Sequence, residues 1–108
     1  MSSDQALLRV YTDEAAFFGD RRVYQVIASR ARDAGLAGVT VLQALLGFGR
    51  SAHVHSRHVL DGDQSVVVEI VDAEPKLRTF AASLAGLPQI GLITLERVEV
   101  LPRGGAAG

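Results

Sequence analysis

The segment Gln64–Val71, QSVVVEIV, is the part of this 108-residue chain that most limits its fold. Its run of β-branched residues marks a strand. A strand turns successive side chains to opposite faces. Val66, Val68 and Ile70 share one parity, and Val67 and Val71 share the other. Both faces of this strand are therefore apolar, and each calls for cover.

The flanking segments supply cover for one face. Ala6–Thr12, ALLRVYT, reads as a strand, and Asp13–Gly19 reads as a loop holding Phe17 and Phe18. A helix follows, with Asp20 as its expected N-cap, Val23, Val26, Ile27, Ala31 and Ala34 at helical spacing, and Gly35 placed to end it. Val39–Phe48, VTVLQALLGF, reads as a strand covered on both faces. Gly49–Asp63 is a polar loop joining it in a hairpin to Gln64–Val71. A second helix begins near Asp72–Pro75 and buries Leu77, Phe80, Ala81 and Leu84, with Gly86 and Pro88 stopping it. Leu92–Leu101 is the last strand.

The order β-α-β-β-α-β predicts an α+β, ferredoxin-like fold, with a four-stranded antiparallel sheet and two helices on one face. Residues 1–101 form one domain in this reading, and 102–108 form a flexible tail. The sheet's second face has no covering element in the chain. A monomer rarely exposes such a patch, so self-assembly is expected, with Val68 as a position where an introduced charge dissociates or misfolds the assembly.

Composition narrows the function classes. Hydrophobic residues make up 48% of the chain, which suits burial between subunits as well as within them. The net charge is −1 and Lys and Arg are dispersed, so nucleic acid is not an expected partner. The absence of cysteine excludes thiol chemistry and fits a reducing compartment. The polar start MSSDQ and the lack of a long apolar run give a cytoplasmic expectation.

Chemistry-bearing residues concentrate after the second strand. Gly47 and Gly49 flank Phe48 and let the backbone approach a ligand closely. Arg50 and Arg57 offer planar two-pronged donors for phosphate or carboxylate. His53, His55 and His58 lie within six positions. His53 and His55 point the same way if extended and could share a metal with His58, Asp61, Asp63 or another subunit. The same residues also fit a solvated polar loop. Asp61, Asp63 and Glu69 have no fixed separation, and no hydrolase, metalloprotease or nucleotide-fold signature is present. No catalytic residue is nominated, and the chain is expected to bind without catalysing a reaction.

Gly38-Val39-Thr40-Val41 followed by Gly47-Phe48-Gly49-Arg50 resembles the second strand and loop start of PII signalling proteins. The whole chain resembles a PII-like family of unknown function, the domain-of-unknown-function family 190. Val68-Glu69-Ile70-Val71-Asp72 and Gly91-Leu92 carry that wider likeness. The resemblance implies a homotrimer with inward-facing sheets and ligand clefts between subunits. It places Gly38, Thr40, Gly47, Phe48, Gly49 and Arg50 at a ligand, an adenine nucleotide such as AMP or ADP or another small anion. No other cofactor is required. It also implies a mobile loop, with Arg57 and Asp61, that docks on a partner protein; for some relatives the partner is linked to membrane transport or ion channels. The lack of a loop Tyr and of a Lys in Gly86–Leu92 departs from PII proteins and favours a ligand with few phosphates.

Overall fold

The computed structural model describes residues 4–44 and 65–103. Its strands and helices are β1 (Gln5–Asp13), β2 (Phe17–Phe18), β3 (Arg21–Arg22), α1 (Val23–Asp33), β4 (Thr40–Gln43), β5 (Ser65–Ala73), α2 (Glu74–Ala82) and β6 (Leu92–Arg97). The main sheet has the order β4-β5-β1-β6, and every neighbouring pair is antiparallel. With two helices this is the expected α+β, ferredoxin-like arrangement. Among the described residues no helix is long and apolar enough to cross a membrane.

Alternation along the two central strands sets the layers. Ala6, Leu8, Val10 and Thr12 of β1 are buried, as are Val66, Val68 and Ile70 of β5. The register places Leu8 opposite Ile70 and Val10 opposite Val68, so these residues share one face. The helices cover that face with Val23, Val26, Ile27 and Ala31 from α1 and Leu77 and Phe80 from α2. Leu84 and Leu87, just past α2, complete the cluster.

The helix ends follow local chemistry. Gly35 has φ +77 and follows the C-cap Ala34. The Gly35 N–H donates to the Arg32 carbonyl at 3.0 Å and the Leu36 N–H to the Ala31 carbonyl at 3.1 Å. This is the Schellman pattern, which satisfies two of the helix's last carbonyls and folds Leu36 back onto the core. Pro75 lies in the first turn of α2, where its missing N–H costs nothing.

Four expectations need correction. Asp20 does not cap α1, because Gly19 and Asp20 are the two-residue turn of the β2–β3 hairpin and the helix begins at Val23. The described part of the second strand is an edge, with Val41 and Leu42 39% and 47% exposed, not covered on both faces. The last strand ends at Arg97, not Leu101, because its partner ends: the Val98 N–H still bonds to the Gln5 carbonyl, and β1 begins there. Val68 is fully buried under the helices, so it is not a probe of the open face.

Val68→Asp should therefore unfold the subunit, since a carboxylate there is buried without a partner. Far-UV circular dichroism should show loss of structure. Val67→Asp, on the opposite face, should keep its native spectrum.

Candidate functional site

The sheet face turned away from the helices is built in rows. The first row runs Leu42, Val67, Tyr11, Leu92, each directly opposite the next across the strands. Leu92 is 55% exposed. The second row is polar: Thr40, Glu69, Arg9 and Thr94. A third row places Leu7 between Val71 and Glu96. No described element of the chain packs on this face.

Arg9 organises the polar row. Its Nε donates to Glu69 Oε2 at 3.0 Å, and its Nη1 donates to Glu96 Oε1 at 3.0 Å. Glu69 is its direct cross-strand partner, and Glu96 lies on the diagonal in β6. The hydrogen bond to Glu69, more than any other interaction, raises the Arg9 pKa above its ordinary value. The cation is thus held in the middle of this sheet face, with two acids around one base.

A second group of features gathers where β1 ends, here called the upper end of the sheet. The chain leaves β4 there, the Ala44 N–H bonding to the Ser65 carbonyl at 2.9 Å. Glu14 is held by two contacts: Gln43 Nε2 donates to its Oε1 at 2.7 Å, and Arg22 Nη1 to its carbonyl at 2.7 Å. Gln89 adopts φ +60, a costly conformation for this residue type. Its carbonyl accepts a 2.9 Å bond from Thr12 Oγ1, and the Gly91 N–H bonds to the Tyr11 carbonyl. These contacts fasten the connection between α2 and β6 to the top of the sheet.

Of the residues nominated from sequence, Gly38 and Thr40 are described. Thr40 is exposed at the start of β4 and lies opposite Glu69 in the polar row. Gly38 is exposed just before it, and a methyl group added there would meet nothing within 4 Å. The fold itself does not require glycine at that point. Gly47, Phe48, Gly49, Arg50, His53, His55, Arg57, His58 and Asp61 lie outside the described residues. The segment that carries them joins the sheet at its upper end, between Ala44 and Ser65. Among the described residues no cluster of His, Asp and Glu is arranged to hold a metal.

The lower end of β4 is positioned by Asp72. Its Oδ2 accepts from the Ala37 N–H at 2.8 Å and its Oδ1 from the Ala73 N–H at 2.6 Å. Lys76 Nζ stands 3.7 Å from the same carboxylate. Desolvation favours the neutral acid, but the Ala73 and Ala37 donors and Lys76 outweigh it, so the Asp72 pKa lies below its ordinary 3.8. Glu74 is likewise lowered, first by its hydrogen bond from Arg78 and also by Arg97, which ties β6 to α2. A largely apolar groove of about 400 Å³ lies nearby on the helical side, lined by Leu36, Pro75, Lys76, Thr79 and Phe80 among others. No nominated residue lines it.

Sequence reasoning missed the Arg9–Glu69–Glu96 group and the hairpin carrying Phe17, Phe18, Arg21 and Arg22. The signals were present: a lone Arg inside the apolar run LLRVY, and Gly-Asp between Phe-Phe and Arg-Arg, a two-residue hairpin signature.

Residues 5–100 match the model of the DUF190 family, described as "Uncharacterized ACR, COG1993". The chain belongs to that family. It is a PII-like family, which agrees with the ferredoxin-like sheet and its open face. Two UPF0166 proteins of Aquifex aeolicus (strain VF5) are similar over nearly their whole length. One is 39% identical over 97 residues, covering 88% of this chain and 91% of the relative. The other is 30% identical over 98 residues, covering 89% and 96%.

The Asp72 contacts generate a pH prediction for this DUF190 chain. Because the folded carboxyl has the lower pKa, its stabilisation is complete above 3.8 and is lost as pH falls below it. Urea unfolding should show Asp72→Asn less stable at neutral pH, by about 1–3 kcal/mol for donors left without their charged acceptor. Its stability should also fall less steeply than the parent's in the acid range.

Proposed function

We propose that this DUF190 protein is a PII-like regulatory module that acts by binding and not by catalysis. In this reading three copies assemble with their open sheet faces inward. Clefts between subunits take a small anion, an adenine nucleotide such as AMP or ADP, and the Gly49–Asp63 segment relays occupancy to a partner protein.

The observation that carries the reading is the uncovered apolar row Leu42, Val67, Tyr11 and Leu92 on a chain of PII-like family. Water contact with such a row is unfavourable, and a closed assembly of identical chains removes it. The ligand assignment is supported by the Gly47-Phe48-Gly49-Arg50 sequence, where a guanidinium follows two glycines. A partner that is a membrane transporter or channel fits the same regulatory role. Three histidines within six positions support a metal response as a second reading.

Thermal shift with AMP, ADP, ATP and divalent metals separates the readings. A ligand at 100 times its dissociation constant should stabilise by about 2.7 kcal/mol. Arg50→Ala should weaken nucleotide binding in calorimetry by about 1.5–3 kcal/mol, the range for a hydrogen bond to a charged group, while the assembly persists. Unchanged nucleotide affinity in that variant contradicts the ligand site. A metal response abolished by joint replacement of His53 and His55 with Ala, with no nucleotide response in the parent, favours the metal reading instead.

A further inference from the structure

The β2–β3 hairpin carries two Phe–Arg pairs, and they differ in kind. Phe17 faces Arg22 across the strands, and Phe18 faces Arg21. The Arg22 guanidinium lies 5.0 Å from the Phe17 ring centroid and donates to the Glu14 carbonyl. That pair is satisfied inside the subunit. Phe18 is 44% exposed, and among the described residues the Arg21 side chain makes no hydrogen bond or ion pair. All five residues from Phe17 to Arg21 are exposed, so the tip projects from the body. A projecting tip suits a macromolecular surface better than a small ligand, which takes a concave site.

A complementary surface lies on the same chain. Val100 and Leu101 are 50% and 69% exposed and follow directly on exposed Glu99. Among the described residues the charged side chains of Asp4, Asp20, Arg21, Glu99 and Arg103 alone have no polar partner. Four of them fall into two groups at the two ends of the sheet: Asp20 and Arg21 follow the upper end of β1, and Asp4 and Glu99 adjoin its lower end, where the Val98 N–H meets the Gln5 carbonyl. The nine residues of β1 span about 26 Å at the strand's rise per residue, and the two groups follow from opposite ends of that span. Two copies set end to end bring such groups together.

We infer that the Phe18–Arg21 tip of one subunit packs on Glu99, Val100 and Leu101 of the next, with Arg21 paired to Glu99. The contact joins unlike surfaces, so it runs head to tail, the kind of contact that forms a ring where the rotation between neighbours closes. The inference rests on the assembly reading above and specifies which contact orients neighbouring subunits around it.

Charge reversal tests it by sedimentation velocity at micromolar concentration, with circular dichroism to verify folding. Arg21→Glu and Glu99→Arg should each raise the dissociation constant of the assembly by about tenfold or more through like-charge opposition. The double variant should return to the parent's mass. Single variants that assemble like the parent, or a double variant no better than either single, overturn the contact and leave the assembly reading intact. A monomeric parent overturns both. The chain has no cysteine, which permits a second measurement. The Phe18→Cys, Leu101→Cys double variant treated with a short bis-maleimide should give covalent species of up to three chains. A gel with only single chains contradicts the contact.

Discussion

Nine consecutive cross-strand pairs between β1 and β5 fix everything else in this fold. They align Ala6, Leu8, Val10 and Thr12 with Asp72, Ile70, Val68 and Val66, and so build the floor on which both helices rest. The same register necessarily aligns the other parity. Leu7, Arg9 and Tyr11 meet Val71, Glu69 and Val67 on the opposite face. A slip of one residue would turn one strand's set over relative to the other and put either Arg9 or Glu69 beneath the helices without its partner, which is prohibitive. The fold's interior and its open face are thus one choice of register.

The open face mixes two kinds of interaction with different uses. The apolar row is non-directional and favours any cover that excludes water. The Arg9–Glu69–Glu96 group is directional, and its paired geometry penalises a neighbour that presents the wrong charge. Together they suit a self-assembling surface with a defined arrangement. The unpaired charges at the two ends of the sheet fit the same logic, because identical chains offer both signs to one another.

The layered architecture was legible because it depends on short-range periodicity. Val66, Val68 and Ile70 alternate, Leu77, Phe80 and Leu84 recur at helical spacing, and Gly35 stands where a helix must end. The hairpin was not read, because Asp20 is an equally good cap and turn residue and only the pairing of Phe18 with Arg21 decides between them. The Arg9 group was not read because its partners lie 60 and 87 positions away, and strand order brings them together. Apolar content in β4 suits cover from both sides, yet Val41 and Leu42 are exposed at a sheet edge. Of the nominated binding residues, Thr40 joins the polar row, Gly38 precedes it, and the others from Gly47 to Asp61 lie outside the described residues.

The central claim is that the open face is an interface between copies of the chain. Sedimentation equilibrium of the unmodified protein tests it most directly. The account predicts a single species with three times the 11.5 kDa chain mass at micromolar concentration. A species of 11.5 kDa that stays monodisperse on concentration would contradict it.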